Sequence, residues 1–244
     1  MKDLELRRVV ITTVILAVFF GLGVGFVAYT QQKTADQIEL NRQAVLLGQI
    51  MAVLGSETHD NNPAEDPFLL PDPEALNLGA LVLDSPGEGV LPASLTPEER
   101  AQAMDAGQLG FRAREGGEVT VVAIPVVTHR GYSGDIRLLV GVRADGVVSG
   151  VRVLEQNETP GLGDKIQADK TDWILDFAGR RLGDPPQEDW AVKKDGGAFD
   201  QFTGATVSPR AVVEAVEDVL LYVGEHHRQL FEQPADDHGE DHDE

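Results

Sequence analysis

Ile136-Arg137-Leu138-Leu139-Val140-Gly141-Val142, then Ala144-Asp145-Gly146, then Val147-Val148-Ser149-Gly150-Val151-Arg152-Val153-Leu154 is the stretch that decides the fold. Both flanks are dense in valine, leucine and isoleucine. The Asp-Gly between them supplies the backbone freedom a tight hairpin turn requires. An antiparallel pair is the reading. Upstream, Glu118 to Val127 predicts a third strand, joined to the pair through the turn Gly131-Tyr132-Ser133-Gly134. Downstream come a Pro-Gly loop at 158–164, a helix around Lys170 to Ala178 stopped by Gly179, and a loop with Pro185 and Pro186. A short strand at Trp190 to Lys193 precedes a helix over Pro209 to Tyr222, with Ser208 as N-cap and Pro209 at the first helical position. Antiparallel strands followed by helices predict an α+β domain with one antiparallel sheet and flanking helices.

Further toward the N-terminus, Thr34 to Leu54 has helical apolar spacing and ends at Gly55. Asn61 to Pro73 is rich in Pro, Asp and Asn and reads as loop. Leu78 to Leu83 predicts a short strand. Thr96-Pro97-Glu98-Glu99 is a capping box opening a short helix through Met104.

Val9 to Tyr29 carries no charge, and as a helix it would be roughly 31 Å long, matching a hydrocarbon core. Its end, Phe26-Val27-Ala28-Tyr29, lacks the small-residue pattern of a signal cleavage site, which favours an uncleaved anchor. Lys2, Arg7 and Arg8 precede it and bias the N-terminus to the cytoplasm. The expected organisation is a cytoplasmic stub (1–8), a transmembrane helix (9–29) and a helical stalk (30–55). A loop-rich part (56–108), a domain core (109–225) and a disordered acidic, histidine-containing tail (226–244) follow. The domain would then lie on the periplasmic side of an inner membrane. Gly21 and Gly25 have the spacing of a helix-docking face, although glycine is also simply common in membrane helices.

The chain has 244 residues and no cysteine, which excludes disulfides and cysteine-ligated iron–sulfur clusters within it. Net charge is −21, and without the seven carboxylates of residues 232–244 it is still −14. Nucleic acid is a poor partner for such a surface. His226, His227, His238 and His242 read as part of a solvating tail rather than a metal site. No hydrolase, kinase or dinucleotide-binding signature is present, so neither catalytic nor metal-ligating residues are assigned.

Thr203-Gly204-Ala205-Thr206-Val207-Ser208 joins a polar turn to the last helix, where free N–H groups and the helix dipole favour an anion. In Glu158-Thr159-Pro160-Gly161-Leu162-Gly163-Asp164, Pro then Gly suits a type II turn. Composition alone reads that loop as an ordinary turn with Leu162 tucked into the core. The other reading leaves Leu162 exposed at the tip, able to cover a flat ligand. Lys193-Lys194 could stabilise negative charge on a cofactor, or be a solvated patch.

These segments resemble a known family. Asp200 to Ser208 resembles the flavinylation motif of FMN-binding domains, D-x-x-[ST]-G-A-T-x-[ST], and Glu158 to Asp164 resembles their E-T-P-G-L-G segment. Trp190 to Pro209, with Gly131 to Ile136 and the single N-terminal span, resembles the family of G subunits from Rnf (Rsx) ion-translocating electron-transport complexes. The likeness covers roughly residues 1–55 and 110–225. It implies FMN joined through its phosphate to the Thr206 oxygen, attached from FAD by a separate flavin transferase with release of AMP. It also implies a site shaped by Thr203, Gly204, Ala205, Ser208, Thr159, Gly161, Leu162 and Lys193. Partners would be the iron–sulfur, flavin and membrane subunits of an Rnf-type complex. The chain would be an electron-relaying subunit of a translocase, with no complete activity alone. The C subunit of the sodium-translocating NADH:quinone oxidoreductase shares the domain and is the alternative. A membrane-anchored sensory module is another, disfavoured because residues 1–8 cannot hold an output domain.

Overall fold

The computed structural model describes residues 2–72, 76 and 109–232, excepting the side chains of residues 2–6, 8–10, 28 and 30–43. The strand expected at Leu78 to Leu83 and the helix expected from Thr96 to Met104 lie outside the described residues. The chain divides into two units, Met1–Ala44 and Val45–Glu244. The first holds most of helix α1 (Lys2–Leu54). Within it the side chains of residues 11–27 are all exposed. Among the described residues no helix is long and apolar enough to cross a membrane, so the anchor expected at Val9 to Tyr29 rests on the sequence.

The second unit is built on a five-stranded antiparallel sheet: β1 (Pro67–Leu69), β2 (Leu109–Glu115), β3 (Glu118–Thr128), β4 (Ile136–Arg143) and β5 (Val148–Glu155). The strands lie in chain order, as a meander. Gly116 and Gly117, both at positive φ, make the two-residue turn between β2 and β3. β3 reads as an almost unbroken apolar run because both of its faces are covered. Val122, Ile124 and Val126 face one core, with Leu138, Val140 and Val142 of β4. Helix α2 (Val207–Phe231) closes that core with Val212, Val216, Val219 and Val223, spaced to lie on one helical face. Val121 and Ala123 point the other way, into a smaller core with Phe111, Leu139 and four residues from the end of α1: Leu46, Ile50, Val53 and Leu54.

The α1 end lies close on the sheet because Gly141 and Gly150 are directly paired and carry no side chains. The Ser149 hydroxyl donates to the Val53 carbonyl at 2.7 Å, using one of the carbonyls a helix end leaves free. Gly55, at φ +67°, then ends the helix.

The stretch Asn61 to Pro73, expected as loop, holds a 3-10 turn over Pro63–Glu65 and β1, and β2 escapes the sequence pattern because Arg112 and Arg114 interrupt it. Both are buried. The Arg112 guanidinium lies 4.2 Å over the Phe68 ring, and its Nε donates to the Leu230 carbonyl. Arg114 pairs with Asp66 at 2.5 Å. α2 runs to Phe231, with a kink at His226 (φ −103°, ψ 15°), past the boundary expected at residue 225, and the hold on Leu230 ties down its last turn. Two other expectations are corrected. The helix around Lys170 to Ala178 is a 3-10 turn over Asp172–Phe177, capped by the Thr171 hydroxyl, which accepts from the Trp173 N–H. Trp190 to Lys193 forms no strand. The chain turns at once through Lys193–Asp195, leaving a single bridge between Val192 and Phe199.

On the outer side of α2, burial pushes the Glu217 and Asp218 carboxyls up, while Arg130, 3.6 Å from Asp218, pulls that group down without prevailing. A carboxyl raised in the folded state adds stability below its unfolded value and loses it as pH rises through the folded value. Asp218→Asn should therefore raise the thermal midpoint at pH 7 and give no gain at pH 3. A lower midpoint at pH 7 would mean that the Arg130 pairing outweighs burial.

Candidate functional site

Three loops and the start of α2 converge at one end of the sheet. The first, Gly131 to Gly134, links β3 to β4. The second follows β5: Leu162 and Gly163 both donate their N–H groups to the Thr159 carbonyl at 3.1 Å, and Gly161 takes φ +77°. This is the type II turn that Pro160-Gly161 predicts. Leu162 is 41% exposed at its tip rather than tucked into the core.

The third loop leads into α2. Ala205 donates to the Phe202 carbonyl at 3.0 Å, with Gly204 at φ +83°, so Thr203 and Gly204 are the central residues of a second tight turn. An aromatic floor supports it. The Trp173 ring meets Phe177 and Phe202 edge-on, and its indole N–H donates to the Asp200 carbonyl at 2.8 Å. Gly197 is required behind it: a Cβ there would lie 2.0 Å from the Ala191 carbonyl oxygen. The two turns meet, since a Cβ on Gly204 would lie 3.7 Å from Leu162 Cδ2.

The helix entrance differs from the sequence expectation. Thr206, not Ser208, is the N-cap, and Pro209 is the third helical residue. Ser208 is buried and donates its hydroxyl to the Glu158 carboxylate instead of capping. This leaves Thr206 in an unusual position. An N-cap hydroxyl normally accepts from the second or third helical N–H; Pro209, the third, has none, and the second, of Ser208, is not engaged. The Thr206 side chain makes no capping bond, and no other hydrogen bond among the described residues. Its half-buried hydroxyl is unengaged. The backbone N–H groups of Val207 and Ser208 also find no acceptor among the described residues.

The remaining predicted residues lie around this point. Thr159, Gly161, Thr203 and Gly204 are exposed, Ala205 is half-buried and Ser208 is buried. Lys193 pairs with Asp200 at 2.6 Å, both exposed, while the Lys194 ammonium makes no ion pair among the described residues. Arg210, one turn along α2 from Thr206, is held by both oxygens of Asp195 at 2.6 and 2.9 Å. The guanidinium in turn holds the Asp195 carboxyl below its ordinary value. Glu158, Ser133, Trp173 and Arg210 were not singled out from the sequence. Only Glu158 and Ser133 lie in segments whose wording drew attention.

The arrangement suits a flavin nucleotide phosphate. An unengaged hydroxyl and two amides without acceptors among the described residues lie together at the positive end of α2. The class is that of an FMN-binding domain, whose family model matches residues 131–221. The chain is 41% identical to the G subunit of the ion-translocating oxidoreductase complex of Vibrio cholerae over 90% of its own length and 92% of that protein's. It is 39% identical to the same subunit of Vibrio atlanticus over 93% and 95%, and 38% to that of Shewanella oneidensis over 90% and 92%. It belongs to the family of G subunits of ion-translocating oxidoreductase complexes. Among solved structures it is similar to the C subunit of the Na+-translocating NADH-quinone reductase from Parabacteroides distasonis. That match has 15% identity and a TM-score of 0.48, covering 78% of this chain and 94% of that one.

Proposed function

We propose that this chain is a flavin-carrying electron-transfer subunit of an Rnf-type complex, with FMN attached through its phosphate to Thr206 Oγ1. The observation that carries the reading is the unengaged Thr206 hydroxyl inside the D-x-x-[ST]-G-A-T-x-[ST] pattern. The attached flavin supplies the electron-carrying chemistry. The chain's own residues hold it. Thr206 fixes one end, and the amides of Val207 and Ser208 with the positive end of α2 offset the phosphate charge. Gly204 and Gly161 leave room beside the tether, and Leu162 offers an apolar contact. The Lys193–Asp200 pair is exposed and adds little net charge.

The membrane-related part of the proposal rests on Val9 to Tyr29. Over residues 11–27 the side chains are exposed on every side of α1, Phe19 to 75% and Leu22 to 70%, as suits a helix in lipid. With Lys2, Arg7 and Arg8 before it, the domain would lie on the periplasmic side of the inner membrane. The chain has no cysteine, so any iron–sulfur centre in the electron path would sit on a partner subunit, and the resemblance to flavinylated domains implies a separate transferase.

The test is ultraviolet fluorescence of the chain after denaturing electrophoresis, following production with a flavin transferase. A fluorescent band is expected for the wild type and none for Thr206→Ala. A dark wild-type band removes the reading.

A further inference from the structure

We infer that Glu158 is a positioning residue for the Thr206 site: its carboxylate ties the loop after β3, the loop after β5 and the first turn of α2 into one arrangement. The inference rests on Thr206 as the attachment residue. Glu158 is 4% exposed. Its Oε1 accepts from the Ser133 N–H at 3.0 Å, and its Oε2 accepts from the Ser208 hydroxyl. Its own N–H donates to Gln156 Oε1. Two glycines wall it in. A Cβ on Gly131 would lie 2.8 Å from Oε1, and a Cβ on Gly163 would lie 2.7 Å from Oε2 and 2.5 Å from Ser208 Oγ.

Among the described residues no Lys or Arg pairs with Glu158. Its charge is met only by neutral donors and by the positive end of α2, beside which it sits. Burying a carboxylate on such terms is costly, and an apolar side chain of the same size would serve stability as well or better. What the carboxylate does is engage the one hydroxyl that would otherwise compete for the helix entrance. With Ser208 drawn inward, Thr206 takes the N-cap, where Pro209 offers no N–H and the hydroxyl does not engage the Ser208 N–H. The Thr206 hydroxyl is thereby kept available and held at one place relative to Leu162 and Gly163.

The test uses the full chain in detergent, a flavin transferase and FAD, with initial rates of fluorescent labelling measured against chain concentration. Glu158→Met keeps the approximate shape and removes both acceptors, whereas a glutamine amide could still donate to Ser208 Oγ. Glu158→Met should lower the kcat for labelling at least tenfold, with KM for the chain within twofold of wild type and the folded fraction unchanged by circular dichroism. Ser208→Ala should show the same loss, Ser208→Thr should restore the rate, and the Glu158→Met/Ser208→Ala double variant should lose no more than either single one. Ser208→Ala against Ser208→Thr carries the test alone if Glu158→Met does not fold. Folded variants labelled at the wild-type rate would overturn the inference and leave Glu158 as a structural tie. Failure of the wild-type chain to label would instead remove the Thr206 reading.

Discussion

Gly141→Val should destabilise the folded domain by about 3–5 kcal/mol, in the range of severe core substitutions. Even the first carbon of the new side chain would lie 2.3 Å from Ser149 Oγ, 2.5 Å from the Val53 carbonyl oxygen and 3.1 Å from its carbon. Two of those atoms are backbone, which a rotamer change cannot move aside. Either β4 bends away from β5, or the end of α1 lifts. Lifting it exposes Ile50, Val53 and Leu54, all fully buried, at roughly 1.5–3 kcal/mol for each side chain lost to water. It also breaks the Ser149–Val53 hydrogen bond, worth about 1 kcal/mol. Partial relaxation keeps the total below the sum. Gly150→Ala meets Val53 less closely, at 2.9 and 3.0 Å, and should cost about 1–2 kcal/mol. Urea unfolding followed by tryptophan fluorescence reads both, since Trp173 and Trp190 lie in the larger core. A wild-type midpoint for Gly141→Val would show that the helix end is not seated on the sheet.

The sequence was most informative where local chemistry decides the backbone. The β4–β5 hairpin follows from Asp145-Gly146, and the type II turn from Pro160-Gly161, because each turn needs a positive φ that glycine takes without strain, and Pro160 presets its own φ. β3 was legible since burial on both faces leaves an unbroken apolar run. β2 was not, because Arg112 and Arg114 are buried by long-range partners, Phe68, Leu230 and Asp66, that no local window contains. The same cause misplaced the helix entrance. Ser208 is the better N-cap by type, yet Glu158, fifty residues earlier, takes its hydroxyl. Local propensity lost to a tertiary hydrogen bond there. The Thr206 motif was visible as a pattern, but the reason its hydroxyl is free was not.

That reason makes Thr206→Val an informative substitution. An N-cap threonine replaced by an apolar residue ordinarily costs about 1 kcal/mol, through loss of its bond to a helical N–H. Here no such bond exists, so Thr206→Val, close to Thr in size, should change stability by less than about 0.5 kcal/mol. Flavin attachment should nonetheless fall to nothing, because the oxygen that would carry the phosphate is gone. Thr206→Ser keeps that oxygen on a side chain with more rotational freedom, and should still become fluorescent, though more slowly than wild type. Full loss of fluorescence with full stability separates attachment from folding, which Thr206→Ala alone does less cleanly because it also removes methyl packing. Residual fluorescence in Thr206→Val would redirect attention to Thr203, the exposed hydroxyl in the adjoining turn. The Thr203→Val/Thr206→Val pair would then decide which oxygen bears the flavin.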